Sequence, residues 1–254
     1  METLHGNSDE RRLVFVLVHG AWHHGGHWAA TAEELRRRGH KVHAPTVTGH
    51  GPGAARNVTH TDGVASIVDY LDEHQLNEIV LVGHSFGGTI ISKVAEQIPD
   101  RIRRLVYFNA FVLPDGGSVF DEIPRDMARM MRRSLVDGTV MLPFEMWRER
   151  FVNDADLAVA TRTFRTLSPE PVAMLEDHLD LRQFYKLLDA GRLRSSYLYA
   201  TDDNSLPPGE ASGWHPRFSS RLGLCRLVQM PGSHEALLTR PGLLARKLVE
   251  AGRD

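Results

Sequence analysis

The chain has 254 residues, of which 42% are hydrophobic and 24% charged, enough apolar content for one sizeable core and too much for a disordered protein. A formal net charge of -2 leaves no electrostatic footprint for nucleic acid or an anionic membrane surface. The single cysteine, Cys225, excludes an intrachain disulfide and a cysteine-built zinc site, and is read as a small hydrophobe near a strand.

The N-terminal stretch METLHGNSDERR is polar and mixed in charge, unlike the basic start and long apolar core of a secretory leader. No apolar run approaches the ~20 residues needed to cross a bilayer, so a cytoplasmic location is the expectation. Leu13 to Val18 is short, wholly apolar and rich in β-branched residues, the pattern of a strand buried on both faces of a parallel sheet. A helix is expected over Trp28 to Arg38, a short strand over Val42 to Ala44, a turn over Gly49 to Gly53 and a helix over Thr61 to His74. Ile79 to Val82 then reads as strand, Thr89 to Gln97 as helix and Leu105 to Phe108 as strand.

This alternation predicts a doubly wound, mostly parallel α/β sheet. The rhythm breaks after Pro114, and from about Ser118 to Gly191 short helices are expected around Asp126 to Leu135, Pro143 to Phe151, Asp156 to Leu167 and Pro169 to Leu188, with no strand. It resumes with strands at Ser196 to Ala200 and Cys225 to Met230 and a closing helix from Pro241 to Ala251. The reading is one α/β core, residues 1–117 and 192–254, carrying a helical insertion over 118–191, without internal repeats or low-complexity linkers.

Within this frame Gly83-His84-Ser85-Phe86-Gly87 is a G-x-S-x-G run between a strand and a helix, the setting of a nucleophile elbow. A serine on so sharp a turn adopts a strained backbone, and neighbours without a Cβ avoid clashes with the adjoining elements. The competing reading is a glycine-rich turn with Ser85 as helix N-cap. A phosphate-binding loop fits less well, because the stretch has neither its spacing nor its lysine. A serine nucleophile needs a base and an orienting acid, placed in this architecture in the order Ser, Asp or Glu, His on loops after late strands. Asp203 follows the strand ending at Ala200, and His234 follows the strand ending at Met230. Asp202 competes with Asp203, whose spacing to Pro207 favours it, and Asp115 is a further rival. The oxyanion donors are expected to be the Phe86 amide and, from the loop after the first strand, the Ala21 amide. His23, His24 and His27 sit in a glycine-rich segment without an evident carboxylate partner, and a structural or rim role is preferred over metal binding.

The stretches FVLVHGAWHHGGHW (15–28), GHKV (39–42), LVGHSFGG (81–88), YFNAFVLPDG (107–116) and PGSHEALLTRP (231–241) resemble the α/β-hydrolase superfamily, and within it the methylesterase and hydroxynitrile lyase branch. The resemblance implies that the helical insertion is a lid. The lyases of that branch carry a threonine after the first-loop histidine and a lysine after the catalytic histidine; this chain has Gly20 and Glu235 there, and a carboxylate beside the base would repel cyanide. Six of the eight methionines, Met127, Met130, Met131, Met141, Met146 and Met174, fall in the insertion, either facing a pocket or filling seams between its helices. Trp22, Phe111, Phe144 and Trp147 are candidates for the substrate wall.

The expected activity is cofactor-independent and metal-free hydrolysis of a small to medium carboxylic ester, a methyl ester or lactone among them, through Ser85, His234 and Asp203. The alternatives are a lyase on the same fold and a ligand-binding receptor or scaffold. The expected partner is a small-molecule substrate, with neither nucleic acid nor membrane, and the oligomeric state, a homodimer included, is left open.

Overall fold

The computed structural model describes residues 12–254. Residues 1–11, and with them almost all of the stretch read for leader character, lie outside the described residues. The strands are β1 (Val14–Val18), β2 (Lys41–His43), β3 (Ile79–His84), β4 (Ile102–Phe108), β5 (Thr139–Val140), β6 (Glu170–Pro171), β7 (Ser195–Ala200) and β8 (Arg226–Met230). Six of them form one sheet in the order β2-β1-β3-β4-β7-β8, every pair parallel. Parallel pairing puts the carboxyl ends of β1, β3, β7 and β8 at one edge, and the order reverses direction between β1 and β3, where a crevice opens in such sheets.

Alternation along the strands explains how the sheet buries both faces. Phe15 and Leu17 of β1, with Val80 and Val82 of β3, face one layer, which contains Leu35 of α1 (Ala29–Arg37) and Leu244 and Leu248 near the C-terminus. Val16, Val18 and Leu81 face the other, with Ile67 of α2 (His60–Glu73) and Ile90 and Val94 of α3 (Gly87–Gln97). All these side chains are buried, and each contributes roughly 1.5–3 kcal/mol relative to exposure. The start of α2 is set by a capping box in which Thr59 and Asp62 satisfy each other's backbone amides.

Between β4 and β7 lie α4 (Val119–Glu122), α5 (Arg125–Arg133), α6 (Phe144–Met146) continuing into a wider turn over Trp147–Phe151, α7 (Leu157–Phe164), α8 (Val172–Glu176) and α9 (Arg182–Asp189). Two expectations for this segment are corrected. β5 and β6 form a short antiparallel pair where no strand was expected. The helix expected over Pro169 to Leu188 is two helices, because the Asp177–Leu181 stretch bonds elsewhere: Leu179 N donates to Gly117 O (3.0 Å), Leu179 O accepts from Gly116 N (2.8 Å), and Leu181 N donates to Asp115 Oδ1 (2.8 Å). After β8 the chain closes with α10 (Ala236–Thr239) and α11 (Pro241–Gly252). Among the described residues no helix is long and apolar enough to cross a membrane.

Candidate active site

Ser85 is the single residue between β3 and Phe86, which caps α3, and its φ of 53° lies in the left-handed region that a non-glycine residue rarely occupies. The turn is held by Ser85 N donating to Phe108 O (3.2 Å) and by Ser85 O accepting from Gly88 N and Phe111 N (3.1 Å each). Its closeness explains the flanking glycines. A Cβ on Gly83 would stand 2.6 Å from Gly87 O, and one on Gly87 would stand 2.6 Å from His19 O. The helix begins at Gly87, earlier than the Thr89 expected from sequence, because the elbow runs directly into it.

His234 sits on the loop after β8 and Asp203 on the loop after β7. His234 Nδ1 donates to Asp203 Oδ2 at 2.6 Å, and both side chains are buried. The carboxylate is itself fully engaged: Oδ1 accepts from Ser205 N (2.8 Å) and Ser205 Oγ (2.6 Å), and Oδ2 also accepts from Asn109 Nδ2. Asp202 is exposed and accepts from Gly232 N (2.9 Å), and Asp115 is exposed and caps Leu181. Neither rival faces the imidazole. The His234 ring is packed between Trp214, nearly parallel at 5.1 Å between centroids, and Phe151, edge-on at 5.3 Å. Burial alone would lower the His234 pKa, but the charge and hydrogen bond of Asp203, with Glu235 behind them, outweigh it and raise it above the ordinary 6.5.

Ser85, His234, Ala21 and Phe86 line one narrow cavity, whose free space of about 410 Å³ includes open solvent at its mouth. The amides of Ala21 and Phe86 make no hydrogen bond with the described residues, so two donors remain free beside the serine hydroxyl. By contrast, Trp22 N–H is taken by Glu170 Oε2 (2.8 Å). Ser85 Oγ has no hydrogen bond to His234 or to any other described residue, and such contacts commonly tighten only when substrate binds.

Apart from Ser205, the rest of the cavity is lined by apolar residues. Trp22 and Phe111 line it, as do Met127 and Met131 of α5, Leu175 of α8 and Phe151. Phe144 and Trp147 lie outside the lining. Trp147 is fully buried one turn from Phe151, stacks against it at 6.0 Å and donates its indole N–H to Ala160 O (3.2 Å), while Phe144 packs on Phe164. The methionines divide accordingly, with Met127 and Met131 on the cavity and Met174 buried away from it. Asn109, Ser205 and Trp214 carried no sequence signal. Each is identified only by contacts that the strand ends bring together.

Behind His234 lies a buried polar layer. Glu235 does not line the cavity; its carboxylate turns to His23, 3.2 Å from Nε2 at an angle too poor for a hydrogen bond, both side chains being 1% exposed. His23 therefore has the carboxylate partner that its own segment lacks, and the expectation that Glu235 repels an anion in the cavity directly is replaced by a charge paired away from it. His23 Nδ1 donates to Ala21 O (2.7 Å), so both ring nitrogens face acceptors. Burial opposes charging this ring, yet Glu235 raises its pKa above 6.5; burial likewise works against Glu235, which His23 and His84 nonetheless hold down at about 2. His84, Glu235 and His234 bring three possible donor atoms within 4.8 Å of one another, but His84 Nε2 donates to His234 O (3.0 Å) and His234 Nδ1 is committed to Asp203. His24 and His27 bond to Gly26, to Thr166 and to each other.

The chain is 30% identical over 255 residues to the carbendazim hydrolyzing esterase of Nocardioides sp. (strain SG-4G), covering 94% of this chain and 99% of that protein. It is 35% identical over 252 residues to the pyrethroid hydrolase of Sphingobium wenxiniae, covering 92% and 86%. Among solved structures, an extracellular α/β-hydrolase from a Paenibacillus species, described as sharing structural and functional homology with tobacco salicylic acid binding protein 2, superposes with a TM-score of 0.91 at 42% identity, over 95% of this chain and 100% of that one. The model of the alpha/beta hydrolase family matches residues 15–247, and with the elbow, sheet order and site loops in place the chain belongs to that family.

Proposed function

We propose that the protein is a cofactor-independent serine esterase that cleaves a small to medium carboxylic ester, a methyl ester or lactone included. The carrying observation is Ser85 at φ 53° sharing one cavity with two unengaged amides and with a histidine bonded to a buried aspartate. Ser85 Oγ attacks the ester carbonyl while His234 Nε2 takes its proton, and the Ala21 and Phe86 amides receive the oxyanion. His234 then returns the proton to the leaving alcohol. Water, deprotonated by the same ring, attacks the acyl-enzyme, the ring's proton passes to Ser85 Oγ as the acid leaves, and Asp203 holds the ring's tautomer throughout. The esterase and hydrolase names of the relatives support the reaction class. The apolar lining and limited space support an uncharged substrate of modest size. In this reading residues 118–191 are the lid over the core, and the partner is a small molecule rather than nucleic acid or membrane. The cytoplasm is the proposed location, with cell fractionation as its check, since the Paenibacillus relative is extracellular.

Gly20 supports hydrolysis over lyase chemistry, since a Cβ there would stand 2.9 Å from Ser85 Cβ and leaves no room for the lyases' threonine. The reaction type is tested by turnover in heavy-oxygen water followed by mass spectrometry of the product. Solvent oxygen in the released acid is the expected result. Product formed without it overturns hydrolysis, and tight ligand binding without any turnover across an ester panel points instead to a receptor.

A further inference from the structure

Ala21 lies between two peptide groups, and the donor proposed for the oxyanion belongs to the first of them. That first group, Gly20–Ala21, is held on its carbonyl side by His19 Nδ1, which donates to Gly20 O at 2.9 Å. His19 is itself fixed, because its Nε2 accepts from Val47 N at 3.0 Å. The second group, Ala21–Trp22, is gripped at both ends. His23 Nδ1 donates to Ala21 O at 2.7 Å, and Trp22 N donates to Glu170 Oε2 at 2.8 Å. A residue whose two flanking peptide planes are fixed has no torsional freedom left, so the direction of its own N–H is fixed as well.

Glu170 is the one member of this set that comes from the inserted segment, where it opens β6. The same stretch takes a second hold on Trp22, since Ser168 N donates to Trp22 O at 2.9 Å. Trp22 needs such restraint, because its φ of 65° is left-handed for a bulky residue and costs of order 1–3 kcal/mol. A lone carboxylate this close to a developing oxyanion would raise the barrier. His50 answers that objection: its Nε2 lies 2.9 Å from Glu170 Oε2 and its Nδ1 3.1 Å from Thr48 O, so both nitrogens face acceptors, and although burial works against a charged ring, Glu170 raises its pKa and favours the imidazolium. Both side chains are completely buried.

Resting on the esterase reading above, we infer that Glu170 is a positioning residue, which through Trp22 N–H aims the Ala21 amide at the oxyanion and so makes the oxyanion site depend on the seating of the inserted segment. Its effect falls on the transition state and not on ground-state binding.

The test uses the full-length enzyme with nitrophenyl acetate as substrate and an aliphatic trifluoromethyl ketone, which forms a tetrahedral oxyanion on the serine, as inhibitor. Glu170→Ala is expected to lower kcat at least ~10-fold with KM within about 2-fold, and to raise the inhibition constant by about the same factor as the loss in kcat. Glu170→Gln keeps a carbonyl acceptor for Trp22 N–H and is expected to recover kcat to within about 3-fold of the parent. Glu170→Asp keeps the charge but withdraws the acceptor, and is expected to behave as the alanine variant does; it serves where the alanine variant does not fold. Unchanged kcat and inhibition constant in a folded Ala or Asp variant, or a glutamine variant as impaired as these, overturns the inference. Ser85→Ala separates the two levels: its inactivity beside fully active Glu170 variants removes this inference alone, whereas its retained activity removes the esterase reading beneath it.

Discussion

Asp203 Oδ2 stands 2.6 Å from His234 Nδ1, while the adjacent carboxylate of Asp202 turns the other way to Gly232 N. Neighbouring residues on a turning backbone diverge, so only one of the two can orient the imidazole. Asp203→Asn is expected to reduce kcat by about 10⁴-fold, the cost of losing the orienting carboxylate in a serine triad, and Asp202→Asn to change it less than about 3-fold. Steady-state turnover of the two purified variants checks both values.

The rate should fall on acidification at a pH above that of an ordinary histidine. In the proposed mechanism His234 acts as a base only when neutral, and Asp203 and Glu235 overcome the effect of burial to raise its pKa. The acid limb of kcat/KM is therefore expected above 6.5, and Glu235→Gln, which removes one of the stabilising charges, should move it downward. A pH–rate profile of parent and variant reads the direction.

The buried His23–Glu235 pair also ties stability to pH. The His23 pKa is raised on folding, so its contribution is complete below 6.5 and is lost as pH rises through the raised value. That of Glu235 is lowered to about 2, so its contribution is present above the ordinary 4.5 and is lost as pH falls toward 2. The two windows overlap between 4.5 and 6.5. There, Glu235→Gln is expected to cost about 3 kcal/mol, roughly 6–12 °C in Tm, and less at pH 9. Thermal melts across pH measure the difference.

Gly87 tests the steric account of the elbow. A methyl group there meets His19 O at 2.6 Å, a backbone atom that cannot swing aside. Gly87→Ala is expected to destabilise the fold by at least about 2 kcal/mol and to lower kcat in the molecules that do fold, since the same shift displaces Ser85. Denaturant unfolding together with kcat per folded enzyme checks both effects.

The parts legible in the sequence are those written in local pattern. Val14–Val18 and Ile79–His84 are continuous apolar runs because both faces of a parallel sheet are covered, and the elbow shows itself because tight turning demands glycine at fixed offsets. The positions of Asp203 and His234 on the loops after β7 and β8 followed from chain order. What the pattern does not hold is anything decided by distant partners. The break at Asp177–Leu181 exists because Gly116 and Gly117 take its backbone bonds, and Glu235 meets His23 across almost the whole chain. Phe151 and Trp147 are one helical turn apart and equally apolar, so only the seating of that turn decides which of them faces the cavity.

The central claim is that Ser85 is the nucleophile of an ester hydrolysis, and the most direct measurement is rapid quenching of the enzyme with nitrophenyl acetate followed by mass spectrometry of the peptide containing Ser85. An acetyl group on Ser85, formed in a burst matching the enzyme concentration and absent from a Ser85→Ala variant that turns over no faster than the residual ~10³–10⁴-fold above water, is the expected result. Full turnover by Ser85→Ala, or acetylation at another residue with Ser85 unmodified, would contradict it.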